Sequence, residues 1–238
     1  MANYKEYKCD LCSTNDAVEV PYIRLYTNNE LVHICKNCGF IYVIKRRTAE
    51  EIAKSWSQDI FGNFYSAKIP AVKARHTYVA DFLDTKIGLK NKKLIDIGGG
   101  EGQFLEIVKE QYNASVFAIE PSHKNCELMR NDGIKCFNGT IEGYLNSNEK
   151  KLADIVTIMW TLENCVSCRD MLGAAWELLN VNGFLLIATG SRILVPFKKA
   201  MHDYFSSNPA DTHCFRFSYN TLVGILAESS FEKKYVNR

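Results

Sequence analysis

Short apolar runs and amphipathic stretches alternate along this chain from about residue 70 onward. The apolar runs predict β-strands, over residues 94–97, 115–119, 133–137, 154–160, 184–189 and 231–236. The amphipathic stretches predict helices, over residues 71–86, 103–112, 167–179 and 219–229. Strands that alternate with helices are typical of an α/β fold with a doubly wound, mostly parallel sheet, and we predict that architecture here.

One predicted strand ends in a glycine-rich turn. The run from Leu94 to Gly102 reads LIDIGGGEG, and a helix-compatible stretch follows it at once. Its glycines permit a tight turn and a close backbone approach to a ligand, while the helix N-terminus offers free N–H groups. Glu120 ends the next strand about twenty residues later, where an acid can hydrogen-bond ribose hydroxyls. The pattern predicts a site for an adenosine cofactor, although similar turns also form where a helix only packs against a strand.

The acidic residues of this turn indicate which adenosine cofactor binds. Asp96 and Glu101 place negative charge beside the site, which suits a cationic cofactor and would repel a pyrophosphate. The run resembles motif I of the class I S-adenosylmethionine-dependent methyltransferases, and residues 154–164 resemble the motif of their fourth strand, with Asn164 in place of a common His. The resemblance covers about residues 70 to 238 and implies a Rossmann-like methyltransferase sheet. The cofactor-binding residues that it implies are Tyr65, Asp96, Gly98, Gly100, Gly102, Glu120, Pro121, Thr140, Ile141 and Trp160.

Four cysteines near the N-terminus form a second pattern. Cys9 and Cys12 make one Cys-x2-Cys knuckle, Cys35 and Cys38 make another, and 22 residues separate the two. Four thiolates at this spacing suit one tetrahedral Zn2+, because each knuckle supplies two ligands from one tight turn. Two disulfides or four free thiols are the alternatives. The polar N-terminus shows no secretory leader, so we expect a cytoplasmic protein, in which zinc is favoured over disulfides.

Composition and charge limit the partners of the chain. The formal net charge is only +2, and no apolar run approaches the length of a membrane span. Residues 1–54 hold eight Lys or Arg against seven Asp or Glu, which disfavours nucleic acid as a partner. The basic run 45–47 therefore predicts a solvated face. A third Cys-x2-Cys, Cys165 with Cys168, lacks a partner pair and is interpreted as structural.

These patterns divide the chain into three parts. We predict a zinc-binding module over residues 1–47, a linker and lid helix over 48–69, and the methyltransferase domain over 70–238. Class I methyltransferases usually add a seventh, antiparallel strand after the sixth. The pattern here stops after the sixth strand. Either a segment near residues 191–205 supplies the seventh strand, or the chain is a truncated version of a longer one, which we favour.

The pairing of a four-cysteine module with this domain resembles the deoxysugar C-methyltransferases and their relatives in bacterial surface-polysaccharide gene clusters. Residues 64–66, followed by His76, are similar to the stretch with which those enzymes close over cofactor and substrate. Residues 213–218 resemble their His-x3-Phe-Ser motif, but Ala210 and Thr212 stand where the carbon-methylating members carry a Tyr and a Glu. We therefore expect O- or N-methylation of a small acceptor, a sugar or nucleotide sugar.

Methyl transfer to oxygen or nitrogen needs alignment and one base. We predict His213 as the general base, because an imidazole suits proton transfer near neutral pH, with Asp211 assisting it and His76 as the second candidate. A purely structural role stays open for either histidine. An RNA methyltransferase with a zinc module and a non-catalytic cofactor-binding module are the alternative functions. The near-neutral N-terminal region opposes the first, and the intact glycine turn opposes the second.

Overall fold

A computed structural model describes residues 4–21, 31–52, 70–190 and 213–236 of the chain. Its strands are β1 (Tyr4–Glu6), β2 (Ala17–Glu19), β3 (Val32–Cys35), β4 (Ile41–Val43), β5 (Lys45–Arg47), β6 (Lys93–Ile97), β7 (Ser115–Glu120), β8 (Lys135–Asn138), β9 (Ala153–Met159), β10 (Leu179–Ala188) and β11 (Phe215–Arg216). Its helices are α1 (Pro70–Ile87), α2 (Gln103–Tyr112), α3 (His123–Asn131), α4 (Ile141–Leu145), α5 (Cys168–Leu178) and α6 (Tyr219–Glu228).

The chain forms two compact units. One, the sheet unit, comprises residues 53–161 and 173–188, and the other, the cysteine unit, comprises residues 1–52, 162–172 and 189–238. The predicted boundaries at residues 47 and 69 differ from this division. Two later segments join the N-terminal residues, because strand β11 and the start of α5 make their contacts there.

The sheet unit is built on five parallel strands in the order β10-β9-β6-β7-β8. This arrangement confirms the predicted α/β, Rossmann-like methyltransferase sheet. The strand order reverses between β6 and β9, so the turns after these two strands leave the same edge of the sheet on either side of a crevice. Ligands of open α/β sheets bind in such a crevice, at the carboxyl ends of the strands.

The core of the sheet unit explains why its central strands read as continuous apolar runs. Strands β6 and β9 are buried almost throughout, and Leu94 and Ile155 share one cluster with Leu83 of α1 and Phe104 of α2. Parallel strands that helices cover on both faces lose the alternation of apolar and polar residues.

Local signals mark the ends of two helices. Helix α1 begins at Pro70, and Gly88 ends it with φ +77° while its N–H donates to the Asp84 carbonyl at 2.9 Å. Helix α6 begins with a capping box between Ser218 and Thr221.

The strand predicted over residues 231–236 is wrong. Ser230 has φ 66°, and the Phe231 N–H donates to the Leu226 carbonyl at 2.9 Å, which closes the end of α6. The following residues are mostly exposed and pair with no strand among the residues that the structure describes. An apolar alternation of this length needs a partner strand before it becomes a strand itself.

The cysteine unit contains a four-stranded antiparallel sheet in the order β11-β4-β3-β2, and a separate β1–β5 ribbon. The solvated face predicted for residues 45–47 is wrong at its centre, because Arg46 is only 1% exposed. Within the described ranges, no helix has both the length and the apolar character needed to cross a membrane.

Candidate active site and metal centre

The turn after β6 is shaped by three glycines in the left-handed region, Gly98 at φ +79°, Gly100 at +55° and Gly102 at +85°. A Cβ on Gly98 would lie 2.4 Å from Thr161 Oγ1, and one on Gly102 would lie 2.5 Å from Met129 Cγ. A Cβ on Gly100 would meet no atom of the described residues within 4 Å. The outer two glycines are therefore required by protein neighbours, whereas the middle one borders open space that a ligand can approach.

Glu120 lies directly behind this turn, with a residue exposure of 5%. One carboxylate oxygen accepts a hydrogen bond from the Gly100 N–H at 2.9 Å, and the other accepts from the Ser122 N–H at 2.8 Å. Burial raises the pKa of this carboxyl, and the two backbone donors oppose that shift. The Asn125 side-chain amide also donates to the carboxylate. Of its four lone-pair sites, about one is left to accept from a ribose hydroxyl.

Replacing Glu120 with alanine is expected to weaken binding of S-adenosylmethionine by about 1.5–3 kcal/mol, the range for hydrogen bonds to a charged group. Isothermal titration calorimetry measures this loss. Glu120→Gln is the matched variant, because it keeps the side-chain size and one acceptor oxygen, and it should lose less affinity than the alanine variant. Unchanged binding in both variants would remove Glu120 from the cofactor site.

Asp96 lies inside β6, and only 2% of the residue is exposed. Its Oδ1 accepts a hydrogen bond of 2.6 Å from the Thr157 hydroxyl on β9. Burial raises the pKa of Asp96 to about 7, with the charge of Glu120 adding to the shift and Thr157 opposing it. Thr157 was not predicted as a site residue. The signal that could have identified it is a hydroxyl within an otherwise apolar strand.

This shift makes stability depend on pH. Because the pKa of Asp96 in the folded chain exceeds the ordinary value of 3.8, the folded state keeps a proton that the unfolded state has lost. The free energy of unfolding should therefore fall as pH rises from about 4 to about 7. Asp96→Asn should reduce this slope in thermal melts recorded without cofactor. Asp154→Asn is the control of opposite sign, because the Lys93 N–H lowers the pKa of Asp154; identical profiles for native protein and Asp96→Asn would contradict the assignment.

Trp160 follows β9 directly and adopts φ 52°, a conformation that is uncommon for a bulky residue. The Trp160 backbone N–H donates to the Ala188 carbonyl at 2.6 Å. Helix α1 brings the Arg75 guanidinium to 3.7 Å from the centre of the indole ring and the His76 ring to 5.7 Å. Two predicted site residues, His76 and Trp160, thus lie together at the carboxyl edge of the sheet. Arg75 was not predicted from the sequence.

His76 also packs against Phe104, in the first turn of the helix that follows the glycine turn, at 6.3 Å between ring centres. Burial, together with the nearby charge of Arg75, lowers the pKa of His76 to about 4. The imidazole is therefore uncharged at neutral pH and is a weak proton acceptor there.

The remaining cofactor candidates of the sheet unit follow β7 and β8. The Asn138 side-chain amide donates to the Pro121 carbonyl at 3.1 Å, and the Gly139 N–H donates to the Glu120 carbonyl at 3.1 Å. The Thr140 hydroxyl caps helix α4, and Ile141 is buried. The segment before α4 is therefore held beside Glu120 through its backbone.

The predicted catalytic residues are divided between the two units. His213 belongs to the cysteine unit, where it lies two residues before β11 and its carbonyl accepts from Arg216 at 3.1 Å. Asp211 and Tyr65, together with most of the predicted linker and lid helix, lie outside the described residues.

The four knuckle cysteines meet in one cluster, and their sulfur atoms all lie within 4.8 Å of one another. Cys9 Sγ is 3.5 Å from Cys38 Sγ, and Cys12 Sγ is 3.4 Å from Cys35 Sγ. Tetrahedral zinc with sulfurs at about 2.3 Å implies separations of about 3.8 Å, whereas a disulfide needs about 2.05 Å. The arrangement fits a zinc ion, and its donor set of four thiols supports that fit.

Burial raises the pKa of the Cys9 and Cys38 thiols, in the second case to about 11. Zinc binds the thiolate form and releases the protons. Purified protein should contain close to one zinc per chain by elemental analysis, and Cys35→Ser should lose that metal and lower the melting temperature.

Cys165→Ser provides a matched control for the zinc prediction. Cys165 is also buried but lies outside the cluster, and its thiol donates to the Leu162 carbonyl at 3.2 Å, which a serine hydroxyl can replace. This variant should keep its metal. Protein without zinc, or a Cys35→Ser variant that retains it, would contradict the metal centre.

Comparison with known proteins assigns the chain to a family. A family model described as a methyltransferase domain matches residues 71–235. The chain belongs to that family. It is a class I S-adenosylmethionine-dependent methyltransferase domain, with S-adenosylmethionine as the cofactor of its family.

Individual relatives agree with this assignment. The chain is 33% identical over 112 residues to the mitochondrial ubiquinone biosynthesis O-methyltransferase of Schizosaccharomyces pombe, a match that spans 44% of this chain and 40% of that protein. A possible histamine N-methyltransferase of Thermotoga maritima aligns with a TM-score of 0.53 and 23% identity, over 74% of this chain and 81% of that one. A plantazolicin methyltransferase in complex with S-adenosylhomocysteine aligns with a TM-score of 0.58 and 18% identity, over 76% and 74% of the two chains. The two structural likenesses show the shared fold.

Proposed function

We propose that this methyltransferase acts on a small acceptor, a sugar or nucleotide sugar, at an oxygen or nitrogen atom. The observation that carries the proposal is the glycine turn after β6, in which Gly100 borders open space and Glu120 holds the turn while keeping capacity to accept from a ribose hydroxyl. S-adenosylmethionine would supply an electrophilic methyl group there. The buried carboxyl of Asp96 lies close to this turn, and its ionised form suits a cationic cofactor.

His213 is the proposed general base, with Asp211 assisting it. The low pKa of His76 supports its place as the second candidate after His213, because an efficient base has a pKa near the working pH. His76, Trp160 and Arg75 instead form a packed wall at the carboxyl edge of the sheet, and the fixed aromatic surface suits alignment of reactants.

The sugar acceptor rests on the resemblance of residues 213–218 and of the four-cysteine module to the deoxysugar methyltransferase group. The name of the Schizosaccharomyces pombe relative supports O-methylation of a small molecule. The proposed zinc is structural, since four thiolates complete its coordination and leave no open position for a substrate. A thiolate zinc site also supports the proposed cytoplasmic location, where thiols stay reduced.

Acceptor screening tests this proposal. Purified protein is incubated with S-adenosylmethionine and panels of nucleotide sugars, phenols and primary amines, and mass spectrometry reads the gain of one CH2 unit. We expect methylated nucleotide sugar that retains its deuterium when labelled beside a ketone, because Ala210 and Thr212 replace the residues of carbon methylation. Methylation of phenols or amines alone would overturn the sugar assignment.

A further inference from the structure

Arg46 is a fully buried arginine at the centre of β5, and its guanidinium donates three hydrogen bonds of 2.6 Å. The acceptors are the Val43 carbonyl, the Val166 carbonyl and Asp10 Oδ2. Burying a charge costs several kcal/mol unless good geometry and additional hydrogen bonds compensate for it. Such a group holds the elements around it in one arrangement, because moving any of them leaves the charge unpaired.

The carboxylate partner of Arg46 lies inside the first cysteine knuckle. Asp10 sits between Cys9 and Cys12, and its other oxygen accepts from the Cys168 N–H at 3.1 Å. Arg169 also donates to the Asp10 carbonyl, and to the Leu11 carbonyl at 2.7 Å. The knuckle is therefore anchored at its side chain and at its backbone.

The face of the guanidinium lies against strand β11. The Arg46 guanidinium carbon is 4.4 Å from the centre of the Phe215 ring, within the range of a cation–π contact. Phe215 pairs with Tyr42 of β4, and the Val43 N–H donates to the Cys214 carbonyl at 2.9 Å. Arg46 thus contacts both β4 and β11, and β11 begins two residues after His213.

The second cysteine knuckle reaches the same strands. Strand β3 ends at Cys35 and pairs with the opposite edge of β4, and the Cys35 N–H donates to the Phe40 carbonyl at 2.9 Å. Both knuckles are consequently connected to the strand pair β4–β11, and His213 lies two residues before β11.

We propose that Arg46 is a positioning residue for His213, because it fastens β11 to β4 and joins both to the first cysteine knuckle, so that the metal site keeps the candidate base in place. The inference rests on the proposed roles of His213 and zinc.

The variant Arg46→Lys tests this role, because lysine keeps the charge and loses the planar fork. We expect kcat to fall about ten- to a hundredfold, as a misplaced reacting group does. The KM for S-adenosylmethionine should stay unchanged, and zinc should remain at one per chain. Arg47→Lys, at the more exposed neighbour in β5, is the matched control and should keep native turnover. Unchanged kcat in Arg46→Lys would overturn the proposal.

A double-mutant cycle separates this inference from the proposed function. If Arg46 acts through His213, Arg46→Lys should change kcat by no more than about twofold in a His213→Ala background. Fully additive effects would overturn the positioning role and leave His213 as the base. Native turnover in His213→Ala would overturn both.

Hydrogen exchange of the native protein supplies a second test that needs no variant. Removing zinc with a chelator should speed amide exchange in residues 41–43 and 213–217 as well as in the knuckles, while strand β6 of the sheet unit serves as the internal reference. Faster exchange confined to residues 9–12 and 35–38, or no change at all, would overturn the proposal.

Discussion

Replacing His213 with alanine is expected to lower turnover about a hundred- to ten-thousandfold, the usual contribution of a general base. The affinity for S-adenosylmethionine should barely change, because the loss falls on the chemical step. Steady-state kinetics with the acceptor identified by the mass-spectrometric screen, together with calorimetry, measure these effects separately.

His76→Ala is the matched histidine variant. Burial and the charge of Arg75 lower the pKa of His76 to about 4, so its removal takes away a packing contact and no effective base. We expect a smaller loss of turnover than in His213→Ala. Native activity in His213→Ala would make His213 structural, and a larger loss in His76→Ala than in His213→Ala would contradict this assignment of the two histidines.

Valine at Gly98 or at Gly100 is expected to abolish binding of S-adenosylmethionine, for different reasons. At Gly98 the new side chain collides with Thr161, so the melting temperature of the sheet unit should fall as well. At Gly100 the Cβ meets no atom of the described residues within 4 Å, so the side chain fills the space that a ligand approaches. Calorimetry should show no binding in either variant, and zinc content should stay native in both.

Gly88→Val controls for backbone strain in this comparison. Gly88 also has a positive φ, +77°, and a Cβ there would also meet nothing within 4 Å, but it lies at the end of α1 and outside the glycine turn. It should lose stability and keep cofactor affinity. Native affinity in Gly100→Val would place the cofactor away from this turn.

Local sequence signals were sufficient to predict an element or its boundary where a single segment contains all the interactions that define that element. Pro70 and Gly88 bound α1, and the capping residues of α6 are three positions apart, so each boundary could be predicted. The same holds for β6 and its glycine turn, because positive φ angles at close spacing need glycine. The strand predicted at residues 231–236 failed because a strand depends on a partner that its own pattern cannot supply.

Site residues that depend on neighbouring strands were only partly predictable. The acid at the end of β7 follows from its spacing to the glycine turn, and the structure adds that the Gly100 N–H donates to it. The Thr157 hydroxyl beside Asp96 and the Arg75 guanidinium over Trp160 were not predicted, since each contact joins elements separated along the chain.

Apolar periodicity, glycine spacing and ligand spacing are local properties. The parallel sheet, the glycine turn with its acid, and the two cysteine knuckles could therefore be predicted from the sequence. Tertiary contacts, in contrast, bury Arg46, which belongs to an apparently solvated basic run. They also place β11, which begins two residues after His213, in the same sheet as the strand that ends at Cys35. Arg46 and its acceptor Val166 are 120 positions apart. Contacts at that separation arise when distant segments pack together, and no pattern within either segment encodes them.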